Sequence, residues 1–432
     1  MGNRYTSWVV FVLSLAMLVS FIDRQIVALL VEPMKADFGL TDLQAGWLYG
    51  GFAIFYAVAG FPLAWLADRK SRRGIIAAGI FLWSLMTMAC GLARSFWTLF
   101  IARIGVGVGE ASLTPSTHSL LGDILPRERM PLAMSFFQIG AVIGSGLAFL
   151  IGGMVVEFVR YAPPVTWPII GELFAWQLTF IYVGAPGVLV VLLMFTIKEP
   201  RRQRPDSGAG SSGGRELLGF YRNHWRTFLS HHAGFTFLVL AGYAFVFWTP
   251  SIFERVHHVP AEQAAQVFGI IFIVAGTAGT LSAAWVARKL MDRGRSDAII
   301  LTTIFGSIGL IVAIALTQLA PTAFWAYVAY VPAMFLVNSP FGLAQAALPV
   351  ITPAPLRARV AAVYLMVGAI GNALGPPITG WISDTLFPGT DGLRWSLLSV
   401  TTIAGGIGVG FLAYGRRHYG VSYQSVTDRA ND

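Results

Sequence analysis

Four ionisable residues stand inside two apolar runs. Arg103 and Glu110 fall within residues 96–125, in the stretch RIGVGVGEASLTP (103–115), and Asp23 and Arg24 fall within residues 8–34. Each run is long enough to cross a bilayer of about 30 Å. Arg103 and Glu110 are seven residues apart, so on a helix they share one face, about 10 Å apart along its axis. A charge at such depth costs roughly 2.5–3.5 kcal/mol on insertion scales unless it is paired or wet. Two kinds of chemistry fit. Asp23 and Glu110 exchange protons while the arginines hold them ionised in one conformation, because a neighbouring guanidinium favours the carboxylate and apolar surroundings favour the acid. Alternatively Arg24 or Arg103 grips an anionic head group through its planar fork. The plain reading is a static ion-pair network joining the two helices. Asp23 and Arg24 are adjacent and diverge by about 100°, so they cannot both face one point. The transport reading expects the four charges to project into a solute pathway. Gly105, Gly107 and Gly109 leave room for a neighbouring helix or a ligand.

The elements that position these residues are membrane spans. The 432 residues are 56% hydrophobic and 12% charged, against about 25% charged in soluble domains. Twelve segments of spanning length are predicted, at roughly 8–33, 44–66, 74–92, 96–123, 130–156, 174–197, 229–251, 263–288, 298–319, 323–349, 357–383 and 394–415. Residues 1–197 then form an N-terminal six-helix bundle, 198–228 a flexible cytoplasmic linker rich in Gly, Ser, Pro and Arg, and 229–432 a C-terminal bundle with a short tail. Of 30 Lys and Arg, 23 fall in alternate loops and termini that share one side and five on the other. That asymmetry places both termini in the cytoplasm and the chain, multi-pass, in the cell (inner) membrane. The basic residues cluster between apolar segments, which argues against nucleic acid as a partner. The N-terminal run contains Asp-Arg and no small-residue cleavage site, so it reads as a retained first helix. The halves repeat: AWLADR (64–69) and AWVARK (284–289) occupy equivalent places. The fold class expected is an all-α polytopic membrane protein with two six-helix pseudo-repeats around a central cavity.

AWLADRKSRR (64–73) resembles the loop between the second and third helices of the major facilitator superfamily, with Ala64 and Ser71 where glycine is usual. Within it, FIDRQIVALL (21–30), RIGVGVGEAS (103–112) and GSGLAFLIGG (144–153) resemble spinster-type lipid transporters, as a bacterial member. The resemblance implies the major facilitator fold and transport of lipid-like substrates, sphingolipid or lysophospholipid in kind. It also implies that Asp68, Arg69 and Arg72, with Arg73, form a cytoplasmic latch between the halves; the plain alternative is that they mark topology. Many antiporters of the superfamily carry Pro after a helix 5 glycine where this chain has Leu147.

Further cavity candidates are Ser112, Thr114 and His118 in the fourth span, each equally well explained by a helix-to-helix hydrogen bond, and Tyr243, Trp248, Asn338, Gln345, Tyr364 and Asn372 in the second half, for each of which packing is the stronger explanation. Glycines of the fifth and eleventh spans read as packing positions, or more sharply as hinges. No GxxxxGK[ST] phosphate loop, HExxH motif or cysteine pair occurs, and the longest polar stretch is too short for a catalytic domain. No cofactor and no metal is therefore expected. The expected function is secondary active transport by alternating access, proton-coupled, of an amphipathic or lipid-like organic substrate, with bilayer, substrate and protons as partners and the chain as a monomer. Competing readings are a drug, sugar-acid or carboxylate transporter of the same superfamily, an intramembrane lipid enzyme using Glu110 and His118, and a receptor that binds without transport.

Overall fold

A computed structural model describes residues 3–125, 129–160, 165–167, 171–200 and 213–431. The helices run α1 (Asn3–Phe38), α2 (Asp42–Ala67), α3 (Arg72–Cys90), α4 (Phe96–Glu110), α5 (Leu113–Ile124), α6 (Met130–Arg160), α7 (Ala175–Met194), α8 (Gly213–Asn223), α9 (Trp225–His257), α10 (Ala261–Ile271), α11 (Thr277–Asp292), α12 (Ala298–Leu319), α13 (Ala323–Val337), α14 (Ser339–Ile351), α15 (Arg357–Thr385) and α16 (Gly392–Asn431). They make twelve spans among the described residues. A short antiparallel hairpin, β1 (Val165–Trp167) with β2 (Gly171–Leu173), lies between the fifth and sixth spans and was not expected from the sequence.

Three spans read as continuous are interrupted. The fourth breaks after Glu110, because Pro115 has no N–H for the carbonyl four residues back. Ser112 there donates to the Gly109 carbonyl at 2.8 Å. The tenth breaks at Asn338 ahead of Pro340, and Ser339 donates to the Leu336 carbonyl, again at 2.8 Å. The eighth carries a π-helical turn, Phe272–Gly276. The 198–228 stretch, expected to be a flexible linker, contains the helix α8 with Leu217, Phe220 and Tyr221 packed on an apolar core; its residues 201–212 lie outside the described residues.

The contacts form two units. The first joins Met1–Gln203 to Phe247–Ile273, and the second joins Arg204–Val246 to Val274–Asp432. In the first unit glycines set the helix spacing. A Cβ on Gly107 would lie 2.5 Å from the Phe52 carbonyl oxygen of α2, and one on Gly109 2.8 Å from the Trp83 nitrogen of α3. The room they leave is filled by helices. Gly140 and Gly144 of α6 bring that helix against the Ser14 and Leu18 carbonyls of α1. In the second unit Gly371 and Gly375 of α15 do the same against Thr236 and Leu240. The packing explanation of these glycines is the one the contacts support.

Gly107→Leu should force α4 off α2 and destabilise the chain by about 1–3 kcal/mol or more. Gly60→Ala, where a Cβ meets nothing within 4 Å, should be neutral or slightly stabilising. Thermal unfolding of the two purified variants distinguishes them; equal midpoints would contradict this account of the packing.

Candidate functional site

The four deep charges converge inside the first unit. Arg24 Nε donates to Glu110 Oε2 at 2.5 Å, and the Ser20 hydroxyl donates to the same oxygen at 2.8 Å. Ser20 and Arg24 are four residues apart on α1, so one helical face presents both to α4. The Arg24 guanidinium lies over three aromatic rings, Tyr56 at 4.5 Å, Phe21 at 4.8 Å and Phe52 at 5.4 Å from the ring centres. These rings replace part of its lost hydration by cation–π attraction.

Asp23, adjacent to Arg24, diverges from it by about 100° around α1. Arg103 Nη1 donates to its backbone carbonyl at 3.2 Å, and the Arg103 guanidinium lies 5.0 Å over the Phe52 ring. Phe52 thus sits between the two guanidinium groups. Both Asp23 carboxyl oxygens, Glu110 Oε1 and Arg103 Nε and Nη2 are buried with no hydrogen-bond partner among the described residues. The Thr87 hydroxyl is the hydrogen-bonding group that lies beside the Asp23 carboxyl. Buried polar atoms are normally satisfied, so this cluster holds hydrogen-bonding capacity in reserve. Asp23 and Arg103 are 0% exposed and Glu110 1%; only Arg24, with its side chain 13% exposed, reaches the surface. Three of the four charges expected to project into a solute pathway are therefore sealed within the first unit, and Arg24 is largely buried beside them.

Of the expected latch residues, Arg72 is buried and ion-paired with Asp123 and with Glu199, the latter at 2.9 Å. Glu199 also accepts from the Arg73 backbone N–H at 2.8 Å and from Ser71 at 2.9 Å. Burial pushes the Glu199 carboxyl up, but these donors outweigh it and hold it below its ordinary range. Arg69 stacks over Trp65 at 3.7 Å, and Asp68 caps the end of α2. These contacts bind α3 to the chain after α7 within the first unit.

The remaining candidates separate by burial. Ser112 is buried at the α4 break, and Asn338 at the α13 break has its Nδ2 unpartnered. His118 and Gln345 are exposed, and Thr114, Tyr243 and Asn372 are half-buried. Trp248 and Tyr364 are buried in aromatic clusters, with Phe247 and with His231, His232 and Phe235 respectively.

A further polar cluster escaped the sequence reading. Arg255, near the end of α9, makes paired hydrogen bonds to Glu32 (2.9 and 2.7 Å) and to Asp42 (2.9 and 2.7 Å), and Lys35 also pairs with Asp42. It ties the Phe247–Ile273 segment to α1 and α2. Its members sit at span ends, where charges are ordinary, and no local spacing links position 255 to 32 and 42.

The sequence profile described as Major Facilitator Superfamily matches residues 13–376. The chain is 26% identical over 392 residues to an "MFS-type efflux pump" of Mycolicibacterium smegmatis, covering 89% of this chain and 86% of that protein. It is 25% identical over 413 residues to "Sphingosine-1-phosphate transporter SPNS2" of Xenopus tropicalis, covering 90% and 76%. A solved structure, "A Bacterial Homolog to Human Lysosomal Transporter, Spinster, in Inward-facing And Unoccupied Conformation", superposes with a TM-score of 0.81 at 26% identity, covering 98% of each chain.

Removing one partner of the Arg24–Glu110 pair leaves the other charge buried and uncompensated. Arg24→Ala should cost about 3–5 kcal/mol, and Arg24→Met with Glu110→Gln should recover most of that. A double-mutant cycle on unfolding measures the coupling; strictly additive losses would show that the two side chains do not depend on one another.

Proposed function

The chain belongs to the major facilitator superfamily, and from that premise we propose that it moves an amphipathic, lipid-like organic substrate across the membrane in exchange for, or together with, protons. It is a twelve-span membrane transporter, not an enzyme. The proposed substrate class rests on the similarity to the spinster-type and sphingosine-1-phosphate transporters, together with the RIGVGVGEAS and FIDRQ stretches.

The observation that carries the proton reading is the unequal treatment of two buried carboxyl groups. Glu110 is held by Arg24 and Ser20, whereas Asp23, one turn further along α1 than Ser20, is in no ion pair among the described residues. Glu110 is the coupling carboxyl and Arg24 its gatekeeper. When substrate or a change of conformation draws Arg24 off Glu110, the carboxyl in its apolar surroundings takes a proton; when Arg24 returns, the proton leaves. Asp23 and Arg103 position the pair through the α1 backbone. Arg24, being the partly exposed member, is the residue that meets an anionic head group, for which its fork is suited. Alternating access of the two halves carries the site from one side to the other, with the termini on the cytoplasmic face of the cell membrane and the Asp68, Arg69 and Arg72 region as a gate.

A second reading, movement of a compact drug or sugar acid, is supported for export by the similarity to the mycobacterial efflux pump and for a sugar acid by 23% identity over 429 residues to a "Probable L-galactonate transporter" of Escherichia coli. It uses the same charges with a different occupant.

In vesicles containing equal amounts of folded protein, Glu110→Gln should remove acceleration of substrate movement by a pH gradient, and Arg24→Gln should abolish movement. Labelled sphingosine-1-phosphate, a lysophospholipid and a sugar acid separate the two readings. Undiminished, pH-driven transport by Glu110→Gln would eliminate Glu110 as the coupling group.

A further inference from the structure

Within the second unit, α8 is fastened to α9 and α14 by a chain of three hydrogen bonds. Tyr221 Oη lies 2.9 Å from His232 Nε2, His232 Nδ1 lies 3.1 Å from His231 Nδ1, and His231 Nε2 lies 3.1 Å from the Ala344 carbonyl oxygen. Both histidines are buried, His231 against Phe235 and His232 against Phe228.

The carbonyl at one end fixes every hydrogen in the chain. A carbonyl only accepts, so His231 Nε2 carries the hydrogen. A neutral ring of that tautomer has its lone pair on Nδ1, so His231 Nδ1 accepts and His232 Nδ1 donates. His232 Nε2 is then an acceptor, and the Tyr221 hydroxyl donates to it. Burial pushes the Tyr221 phenol up to about 12, which keeps that hydrogen in place. The chain thus consists of two neutral imidazoles in opposite tautomers. A proton added at His231 Nδ1 would set two N–H groups against each other across 3.1 Å. A proton added at His232 Nε2 would take the acceptor from Tyr221 and leave a cation in an apolar core.

The surroundings offer such a cation no counter-charge. α15 presents Tyr364, whose ring centre lies 5.4 and 5.9 Å from the two imidazoles, and α14 has no ionisable residue. Tyr419 of α16 donates to the Ala347 carbonyl at 3.0 Å. On α8, Leu217, Phe220 and Tyr221 face the core, whereas Arg215, Glu216 and Arg222 are exposed, as is Arg226 of α9. No carboxylate acts on either imidazole among the described residues.

We infer that His231 and His232 are a proton-binding site of the second unit, empty while α8 is docked and filled when α8 lifts. Once Tyr221 leaves, His232 meets water, where an imidazole titrates near about 6.5. The docked form binds no proton and the lifted form takes up one or two. Docking is therefore at full strength above about pH 6.5 and weakens as pH falls below it, about tenfold per pH unit for each proton taken up. α8 closes the polar stretch between α7 and α9, so acid on that face loosens the connection between those spans. The site stands whether or not Glu110 couples protons to transport.

Hydrogen–deuterium exchange of the full chain in nanodiscs reads the docking equilibrium as protection of the 213–223 amides, once the intrinsic pH dependence of exchange is divided out. In the unaltered chain that protection should fall at least about tenfold between about pH 7.5 and about pH 5.5, while α12, which carries no histidine, holds steady. His231→Gln with His232→Gln keeps a donor for Ala344 and an acceptor for Tyr221 but cannot titrate, so its α8 protection should stay level across that range. Nitrogen-15 spectra of the imidazoles in the unaltered chain at about pH 7.5 need no variant to fold. They should show one ring of the coupled pair with its hydrogen on Nδ1 and the other on Nε2. Glu110→Gln should leave the pH response of α8 intact, so loss of coupled transport in that variant does not bear on this site. Unchanged α8 protection at acid pH, the same fall in the double variant, or a pair with both hydrogens on Nε2 would overturn the inference.

Discussion

A buried ion pair between the first and fourth spans is the constraint to which the rest of the N-terminal unit answers. Arg24 and Glu110 meet at 2.5 Å with Glu110 sealed from solvent, and a pair in such surroundings is tolerable only with close geometry and added hydrogen bonds or aromatic contacts. Each feature around it serves that need. Ser20 supplies a second donor, and Phe21, Phe52 and Tyr56 face the guanidinium. Gly107 lets α4 approach the Phe52 backbone closely enough for the aromatic ring to sit between Arg24 and Arg103. The glycine run and the charges of RIGVGVGE thus act together: the small residues bring the helices close enough for the charges to meet in a buried pair.

The unit also contains points at which it can yield. The fourth span is interrupted directly after Glu110, at Ala111 and Ser112, so this carboxyl sits at the end of a helical segment and not within a rigid rod. The tenth span is interrupted in the same manner at Asn338, with a serine again donating to a carbonyl three residues back. Two pseudo-equivalent spans therefore share a proline-directed break, which fits a mechanism in which helix segments reorient. Arg255 with Glu32 and Asp42 forms a second polar contact that must separate if the Phe247–Ile273 segment moves from α1 and α2.

How much of this was legible in the amino-acid order depends on contrast. The twelve spans and the four deep charges were plain, because length and apolarity are summed over many residues and an arginine inside such a run is conspicuous. The partners of those charges were not. Ser20, Phe52 and Tyr56 resemble dozens of other serines and aromatics in the spans, and only the fold selects them. The Arg255 cluster was hidden for the opposite reason, since charge at a span end has no contrast. Trp248 and Tyr364 looked like cavity residues because an aromatic ring with a polar tip suits a cavity and a core equally; the structure buries both. The break at Ser112 was signalled by Pro115, but hydropathy averages across it. The helix at Gly213–Asn223 was masked by the glycine and serine that precede it in a stretch read as linker.

The central claim is that Glu110 alternates between a guanidinium-paired carboxylate and a protonated acid as the transport cycle proceeds. Infrared difference spectroscopy on the reconstituted protein, comparing states with and without transported substrate, observes that change at the carboxyl itself. The account expects a protonated-carboxyl stretch to appear or vanish with substrate and to be missing in Glu110→Gln while persisting in Asp68→Asn. A difference spectrum with no carboxyl band, or one unaltered by Glu110→Gln, would contradict it.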